Sequence, residues 1–494
     1  MHIKFKCLLP KTRFMCRQII LFILILLIVL LSVLLLRNIW RYPEFSAYEH
    51  SNVVWLWKKV VLSPNDSLWL EPIYLQHPKN ITFVVKKSSK TSGPLSHLSP
   101  FSSIRNLRQY ISNINMLQYV NNEDLYGKLP SRNNFDSIKS SPKYVILVQV
   151  HNRSTELRLL IESLRRTKGI ETALLIFSHD FYSDELNSLI GSIRFTRTVQ
   201  IFFPHSLQIF PKTFPGTDPR DCDSRMKPTD ARNIGCFNAR WPDTYHHYRE
   251  SHFTQIKHHW LWKIEFVMNH FYPTKYYNDY FILLEEDHFV VEDILHVCGL
   301  ISKTVWSPLK TDGIIALGSY DKDNEYSSNT IHLTHWISSK HNMGMGISRV
   351  VWKNIEQCLK SFCDYDDYNW DWSLQFIGGK CLSDKLKVLT LPLATRVFHL
   401  GECRGIHHQR NACDTQLLAA KILQIYSGPL LTKLYPTSLQ LSEQLSSMNN
   451  HKQTPNGGWS DKRDRSLCQS FLSNKWDEQL IHWAPELTKY SPIH

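Results

Sequence analysis

Acidic residues are missing from the start of the chain, because the first 41 of its 494 residues contain no Asp or Glu. The same segment carries seven Lys and Arg, more than half of the net charge of +13. The rest of the chain is therefore only mildly basic, at +6, and it contains no recognisable nucleic-acid-binding motif. We do not expect this protein to bind DNA or RNA.

Two zinc-binding signatures are also missing. None of the eleven cysteines forms a C-x-x-C pair, which argues against a zinc ribbon, and no H-E-x-x-H motif occurs. A zinc hydrolase nevertheless stays open as an alternative because of four paired histidines: His258, His259, His407 and His408.

Long apolar runs are missing except for one, IILFILILLIVLLSVLLL at residues 19–36. It contains no charge, and its length just spans a hydrocarbon core of about 30 Å. The basic residues before it place a cytoplasmic tail at 1–18 and the remainder of the chain across the membrane. A cleaved signal peptide is the alternative, but the run is longer than a usual signal core, and bulky residues follow it at Arg37–Trp40. We therefore predict an uncleaved, single-pass anchor.

Residues 37–140 are predicted to form a stem, because they mix polar and aromatic residues without a sustained period. Asn65 and Asn80 lie in glycosylation sequons of this segment. A third sequon, at Asn152, follows a predicted buried strand, and we expect it to be unused. The folded body on the far side of the membrane is predicted over residues 141–494.

A repeating strand–helix pattern opens this body. Apolar strands are predicted at 144–150, 172–177, 198–203 and 281–284, and helices near 154–168, 183–193 and 254–270. This alternation is typical of an α/β fold with a parallel sheet covered on both faces. Ligands bind beyond the carboxyl ends of such strands. Three polar clusters are predicted to meet there: HNR at 151–153, SHD at 178–180 and EEDH at 285–288.

Three carboxylates, Glu285, Glu286 and Asp287, directly follow a predicted buried strand. A single carboxylate there is often only a helix cap, but three exceed what a cap requires. Hard oxygen ligands at a sheet edge suit Mg²⁺ or Mn²⁺ bridging a diphosphate. Because the cluster is not an Asp-x-Asp motif, both interpretations stay open.

A second candidate is the segment DDYNWDW, in which Asp371 lies between Trp370 and Trp372. Aromatic faces suit the C–H surfaces of sugars, and an apolar wall raises the pKa of a carboxylate, which suits a general base. Packing of both Trp side chains in the core is the alternative. The acids just before it could equally form a solvated turn: Asp364, Asp366 and Asp367.

A third candidate is His399, which follows a predicted strand at 388–398. A lone His in this position is more often structural than a ligand. Cys403 and Cys413 could staple the loop that follows in an oxidised protein.

Eight sequence blocks together resemble one enzyme family. The blocks are VQVHNR, FSHDF, HYRESHFTQIKHHWLWK, LEEDH, HNMGMGISR, DDYNWDWSLQ, FHLGECRGIHH and NGGWSDKRDRSLC. Their order and spacing over residues 105–494 resemble those of the N-acetylglucosaminyltransferase II family. The resemblance implies a GT-A (Rossmann-like) glycosyltransferase domain in the Golgi lumen, behind a type II anchor. It also implies Mn²⁺-dependent, inverting transfer of GlcNAc from UDP-GlcNAc in β1,2 linkage to the α1,6-arm mannose of N-glycans, and it leaves a homodimer open.

The resemblance also implies roles for individual residues. The residues implied to bind the donor are Gln149, Val150, His151, Asn152, Arg153, Asp180, Gln255, Ile256, Lys257, His258 and His259. The other implied roles are Mn²⁺ binding by Asp287 and His399, general base catalysis by Asp371, and acceptor contact by Asn342 and Trp370.

Four disulfides are implied in the same way: Cys222–Cys236, Cys358–Cys381, Cys363–Cys468 and Cys403–Cys413. They leave Cys298 unpaired. The chain departs from the family pattern next to His399, where it reads His-Leu-Gly-Glu-Cys-Arg, and the following cysteine loop is two residues longer. Two alternatives follow: an inverting N-acetylglucosaminyltransferase with another acceptor, and a catalytically silent glycan-binding protein on the same fold.

Overall fold

The structure is a computed structural model that describes residues 101–131, 141–304, 313–320, 329–383, 385–391, 394–401, 433–443 and 454–472, with isolated positions between 415 and 422. Several predicted features lie outside these ranges: the anchor at 19–36, the sequons at Asn65 and Asn80, the Cys403–Cys413 pair, His407 and His408. Within the described ranges, no helix is both long enough and apolar enough to cross a membrane.

The strands of the described chain are β1 (Tyr144–Val150), β2 (Ala173–His179), β3 (Arg197–Phe202), β4 (Phe281–Glu285), β5 (His288–Val290), β6 (Ile314–Ala316), β7 (Thr330–His335), β8 (Met345–Ile347), β9 (Lys387–Thr390), β10 (Val397–His399) and β11 (Gln440–Glu443). Its helices are α1 (Ile104–Leu117), α2 (Glu123–Tyr126), α3 (Ser154–Arg166), α4 (Asp184–Gly191), α5 (Pro228–Ile234), α6 (Ser251–Glu265), α7 (Ile294–Thr304), α8 (Ser338–His341), α9 (Arg349–Glu356), α10 (Leu359–Asp364), α11 (Trp370–Lys380) and α12 (Lys462–Ser470). A π-helical turn, Phe266–His270, continues α6.

A large sheet forms the centre of the fold, with the strand order β11-β7-β9-β6-β8-β4-β1-β2-β3. Strands β3, β2, β1 and β4 are parallel neighbours, which confirms the predicted parallel sheet. Strand β8 lies antiparallel between β4 and β6. Strands β5 and β10 pair antiparallel in a separate two-stranded sheet.

Both faces of the central sheet are covered. Successive side chains of a strand point to opposite faces. Val145 and Leu147 therefore pack into the core that includes α6, whereas Ile146 and Val148 pack into the core that includes α3. This double burial explains why the strands read as continuous apolar runs, and it confirms the predicted layering.

The packed body begins earlier than the predicted residue 141. Helix α1 lies within the predicted stem, and Leu107 and Ile111 on its apolar side pack against Phe202 of β3. Asn115 exchanges two hydrogen bonds with the backbone of Phe202, at 2.7 and 2.8 Å. Its sequence carries a helical signal that the stem prediction passed over, because Ile104, Leu107, Ile111 and Ile114 recur at the spacing of one helix face. Contact with the edge of the sheet stabilises it.

The prediction of a single strand over 388–398 was wrong. Strand β9 ends at Thr390 in the central sheet, and β10 begins at Val397 in the small sheet. Between them, the fully buried guanidinium of Arg396 pairs with both carboxylate oxygens of Asp293, each at 2.9 Å. A buried charge needs such a partner, and this interaction redirects the chain toward the second sheet.

Three of the implied disulfides are confirmed: Cys222–Cys236, Cys358–Cys381 and Cys363–Cys468. Within the described chain, Cys298 is buried and forms no disulfide, as expected. Two of these three bridges attach α10 to its neighbours: one joins its start to the C-terminal end of α11, and the other joins it to α12.

Removal of the Cys363–Cys468 bridge is expected to lower the free energy of unfolding by about 2–5 kcal/mol, because this bridge closes a long loop in the unfolded chain. Urea unfolding of a Cys363→Ala/Cys468→Ala variant under oxidising conditions measures the loss. Cys298→Ala is the matched control, since it removes a buried thiol that belongs to no bridge. An unchanged unfolding midpoint in the double variant would show that the bridge does not stabilise the fold.

Candidate active site

The three polar clusters meet at the carboxyl edge of the parallel strands, as predicted. His151 follows β1, and its Nδ1 lies 2.5 Å from Asp180 Oδ1, beyond β2. The backbone N–H of His151 donates to Oε2 of Glu286, beyond β4, at 2.9 Å. The backbone N–H of Arg153 reaches the same oxygen at 3.3 Å. Glu286 therefore holds the β1–α3 loop against the acidic cluster.

A cavity opens next to this loop, lined by residues 152–156 at the start of α3. Asn152 is exposed there, and the guanidinium of Arg153 is only partly buried. The first turn of a helix presents free backbone N–H groups, which favour an anion such as a phosphate. The predicted donor segment thus lies where a diphosphate could bind.

Helix α6 contacts the carboxyl edge of the parallel strands through three of its side chains. Side chains four residues apart on one of its faces reach the ends of β1 and β2. The contacts are Gln255 Nε2 to Asp180 Oδ2 (3.1 Å), His259 Nε2 to Ser178 Oγ (2.8 Å) and Lys263 Nζ to Gln149 Oε1 (2.6 Å). Lys263 was not among the predicted site residues, although its position four residues after His259 puts it on the same helix face.

The charges of this face are strongly affected by burial. Burial lowers the pKa of Lys263 to about 7, against the charges of Glu285 and Asp180. Burial alone would raise the pKa of Asp180, but the charges and hydrogen bonds of His151 and His259 lower it well below its usual range. Asp180 is therefore an ionised anchor for its neighbours.

Two other predicted donor residues of α6 form their hydrogen bonds elsewhere. Lys257 Nζ donates to the main-chain oxygen of Asp367 at 2.8 Å, and His258 Nε2 lies 3.0 Å from Asp464 Oδ1. Ile256 packs at the edge of the core. Five consecutive helical residues point around the whole helix, so only part of the 255–259 segment can face the strand ends.

His258 and His259, the described histidine pair of the zinc-hydrolase alternative, do not form a zinc site. His258 and His259 are both fully buried, yet they approach different partners, Asp464 and Ser178. They do not converge on one point.

A group of possible metal ligands lies at the end of β4. Glu285, Asp287 and His288 each offer one ligand atom, and these atoms lie within 4.8 Å of one another. Asp287 Oδ2 contacts the guanidinium of Arg153 and lies 3.3 Å from His399 Nε2. Its other oxygen, Oδ1, is buried and has no hydrogen-bond partner among the described residues. A buried carboxylate oxygen without a partner is unfavourable unless a cation binds it.

The surroundings of Asp287 fit a divalent cation. A Cβ atom at Gly401 would collide with Asp287 Oδ2 and with the His399 ring, so the backbone passes close to both side chains. Burial would raise the pKa of Asp287, but His399 and Arg153 lower it well below its usual range. Burial lowers the pKa of His288 to about 3, which keeps this imidazole neutral. Carboxylate oxygen and imidazole nitrogen are suitable ligands for Mn²⁺. Burial would lower the pKa of His399, but its hydrogen bond with Asp287 raises it, so a metal ion bound there would displace a proton.

Asp371 is the second residue of α11 and is half-buried. Asn342 Nδ2 donates to its Oδ2 at 3.0 Å, and the backbone N–H of Trp372 donates to Oδ1 at 2.9 Å. Burial raises the pKa of Asp371, although the Asn342 hydrogen bond lowers it. Trp370 stacks on Trp260 with ring centroids 4.5 Å apart and is 7% exposed, so most of this ring belongs to the core.

Tyr320 binds the amide that holds Asp371, and sequence reasoning missed it. Its hydroxyl donates to Asn342 Oδ1 at 2.9 Å. Burial raises the pKa of Tyr320, and nearby carboxylates raise it further: Glu285, Asp371 and Asp287. Tyr320 is nevertheless 50% exposed. No motif in the sequence marks this loop position.

A family model described as N-acetylglucosaminyltransferase II (MGAT2) matches residues 108–468. Several curated relatives share the name alpha-1,6-mannosyl-glycoprotein 2-beta-N-acetylglucosaminyltransferase. The rat protein is 38% identical over 78% of this chain and 85% of its own length. The human protein is 36% identical over 80% and 87%, and the Arabidopsis thaliana protein is 30% identical over 67% and 75%.

Among solved structures, the glycosyltransferase GlyE of Streptococcus pneumoniae TIGR4 aligns with 69% of this chain and 63% of its own, at 11% identity and a TM-score of 0.23. No conclusion about the fold depends on so low a score. The family model and the curated relatives instead confirm the resemblance seen in the sequence blocks. The chain belongs to the N-acetylglucosaminyltransferase II family.

Proposed function

We propose that this protein transfers GlcNAc from UDP-GlcNAc to the 2-hydroxyl of the α1,6-arm mannose of N-glycans, forming a β1,2 linkage on a GT-A fold. The observation that carries the proposal is Asp371: Asn342 joins this carboxylate to Tyr320 by hydrogen bonds, and the charges of Glu285 and Asp287 act on the same tyrosine. A base close to a diphosphate site is what direct glycosyl transfer requires.

The donor would bind along the carboxyl edge of the parallel strands. The start of α3 and the side chain of Arg153 offer N–H groups and positive charge to the diphosphate. Asp180, fixed by His151 and Gln255, and Gln149, held by Lys263, would position the nucleotide.

Asp287 and His399 would hold Mn²⁺, with Glu285 and His288 close by. When bound, the ion offsets the negative charge that develops on the departing diphosphate. Arg153 already contacts the same carboxylate and adds a second positive charge at this point.

Asp371 would act as the general base. It takes the proton of the mannose 2-hydroxyl while that oxygen forms a bond to C1 of GlcNAc. The bond from C1 to the diphosphate oxygen breaks on the opposite face, and UDP leaves with the electron pair. Attack opposite the leaving group inverts the configuration without a covalent intermediate, as in inverting glycosidases. Asn342, which is bound to Asp371, would orient both the base and the acceptor.

For the cellular setting, we propose from the sequence that residues 19–36 anchor the chain in the Golgi membrane with the body in the lumen. An oxidising lumen agrees with the three disulfides.

Incubation of the full-length chain in detergent with UDP-GlcNAc, Mn²⁺ and an N-glycan core that already carries GlcNAc on its α1,3 arm tests the proposal. A product with β1,2-linked GlcNAc on the α1,6 arm, read by mass and linkage, is the expected result. Transfer to another acceptor would point to a related N-acetylglucosaminyltransferase. Metal-dependent UDP binding without any product would point to a silent glycan-binding protein.

Transfer is expected to fall as the pH drops through the pKa of Asp371, because only the ionised carboxylate can accept a proton. Burial raises this pKa above the ordinary value of 3.8, so the acid limb of kcat/KM should lie above that pH. Asn342→Ala removes a hydrogen bond that favours the ionised form and should move the limb to higher pH. A pH–rate profile of both proteins measures the shift, and an unmoved limb would contradict the assignment.

A further inference from the structure

Helix α6 presents two different faces to the two halves of the site. Gln255 and His259, four residues apart, reach the strand ends on the donor side. Lys257 and Trp260, three residues apart, instead reach the segment that leads to Asp371. Neighbours of this spacing share one helix face.

We propose that Lys257 is a positioning residue for Asp371: by binding the main chain of residues 365–367, it fixes the start of the helix that carries this carboxylate. The inference rests on the proposed function, in which Asp371 is the general base. It assigns to Lys257 a role different from the donor contact that the family resemblance implies.

The burial of Lys257 is complete, at 0% exposure. Its Nζ donates to the main-chain oxygens of Asp367 at 2.8 Å and Tyr365 at 3.3 Å. It also lies 4.2 Å from the ring centroid of Trp459 and 4.9 Å from that of Phe362. Burial lowers the pKa of Lys257 well below its usual range, although the charge of Asp367 raises it. A buried amine is unfavourable unless its hydrogen-bond acceptors are in place, so these contacts hold the segment in one arrangement.

Asp367 fixes the same segment through its carboxylate, which is fully buried. It accepts two hydrogen bonds from Asn369, at 2.9 and 3.2 Å, and two from Asn456, at 2.8 and 2.9 Å. Ser373 Oγ donates to the main-chain oxygen of Asp367 at 3.3 Å, within the first turns of α11. The solvated-turn alternative is therefore wrong for Asp367.

These contacts lie on both sides of the base, at Asn369 two residues before it and at Ser373 two residues after it. Asn369 immediately precedes α11, and Asp371 is the second residue of that helix. Between them, Trp370 stacks flat on Trp260, with 7° between the ring planes, on the same face of α6 as Lys257. A displacement of about 1 Å at a reacting group can lower a rate by about 100-fold. The donor contacts lie on the other face of α6, so loosening this segment should affect turnover and leave donor binding unchanged.

Two variants test the proposal: Asn456→Ala, at an exposed position on the far side of Asp367, and Lys257→Met, which keeps most of the side-chain volume. In the full-length chain, Asn456→Ala should lower kcat by about 10-fold and Lys257→Met by about 100-fold. Calorimetric affinity for UDP-GlcNAc with Mn²⁺ should stay unchanged. Lys263→Met is the contrasting variant, since this buried lysine lies on the donor face and its loss should weaken UDP-GlcNAc binding.

The outcomes separate this proposal from the proposed function. Folded Asn456→Ala and Lys257→Met proteins with normal kcat would overturn it, as would a parallel loss of kcat and donor affinity. If Lys257→Met does not fold, as judged by thermal unfolding, Asn456→Ala decides alone. Normal turnover of Asp371→Asn would instead overturn the role of Asp371 as the base, whatever Lys257 does.

Discussion

Asp371→Asn is expected to lower the rate of transfer by about 10²–10⁴-fold, the usual contribution of a general base. The substitution keeps the size of the side chain and an oxygen that can accept the Asn342 hydrogen bond. It removes the negative charge and with it the ability to take a proton from the acceptor hydroxyl. Because an amide has a single oxygen, the hydrogen bond from the backbone N–H of Trp372 is lost as well. UDP-GlcNAc should therefore bind with unchanged affinity, and a single-turnover assay at saturating donor should show the loss directly.

Asp364→Asn is the matched control for this experiment. Asp364 ends the preceding helix, and its carboxylate binds Lys360 at 2.7 Å and Gln469 at 2.9 Å. The control removes one negative charge from the same region without touching Asn342 or Asp371. Near-normal transfer is expected. Turnover close to that of the unchanged protein in Asp371→Asn would exclude this residue as the base, and loss of UDP-GlcNAc binding would indicate a structural defect instead.

The meeting of the polar clusters at one edge could be predicted, because it depends only on local order along the chain. Buried strands that alternate with helices must be parallel, and parallel strands end on the same side. His151, Asp180 and Glu286 each follow such a strand directly, so their proximity follows from the topology alone. The antiparallel insertion of β8 follows no such rule, since three residues carry no period that distinguishes their direction.

The finer site could not be predicted, because side chains from distant loops complete it. Tyr320 and Asn342 come together by tertiary contact, and no periodic pattern marks either residue; only the family resemblance pointed to Asn342. Asn456 reaches Asp367 across 89 positions of the chain. The sequence does predict that Lys257 and His259 point to different sides of the helix, since side chains two positions apart lie on different helix faces. What sequence could not reveal is what each face contacts.

Asp287→Ala is expected to abolish the metal-dependent part of UDP binding. Loss of a residue that merely supports a ligand weakens metal affinity by about 10- to 100-fold, and loss of a ligand itself should cost more. The carboxylate is 3% exposed, it faces His399, and its Oδ1 has no partner within the described chain. Electron paramagnetic resonance of free Mn²⁺ during titration measures affinity without any assay of transfer.

Glu286→Gln is the control, because it neutralises the adjacent acid at nearly constant volume. Glu286 accepts backbone N–H groups of His151 and Arg153, and an amide oxygen can still accept them. Its substitution should therefore preserve Mn²⁺ affinity. If it weakens any interaction, we expect this to be UDP-GlcNAc binding at the β1–α3 loop. Equal Mn²⁺ affinity in Asp287→Ala and in the unchanged protein would place the ion elsewhere. A loss in both variants would mean that the total negative charge of the cluster, and not coordination by Asp287, attracts the cation.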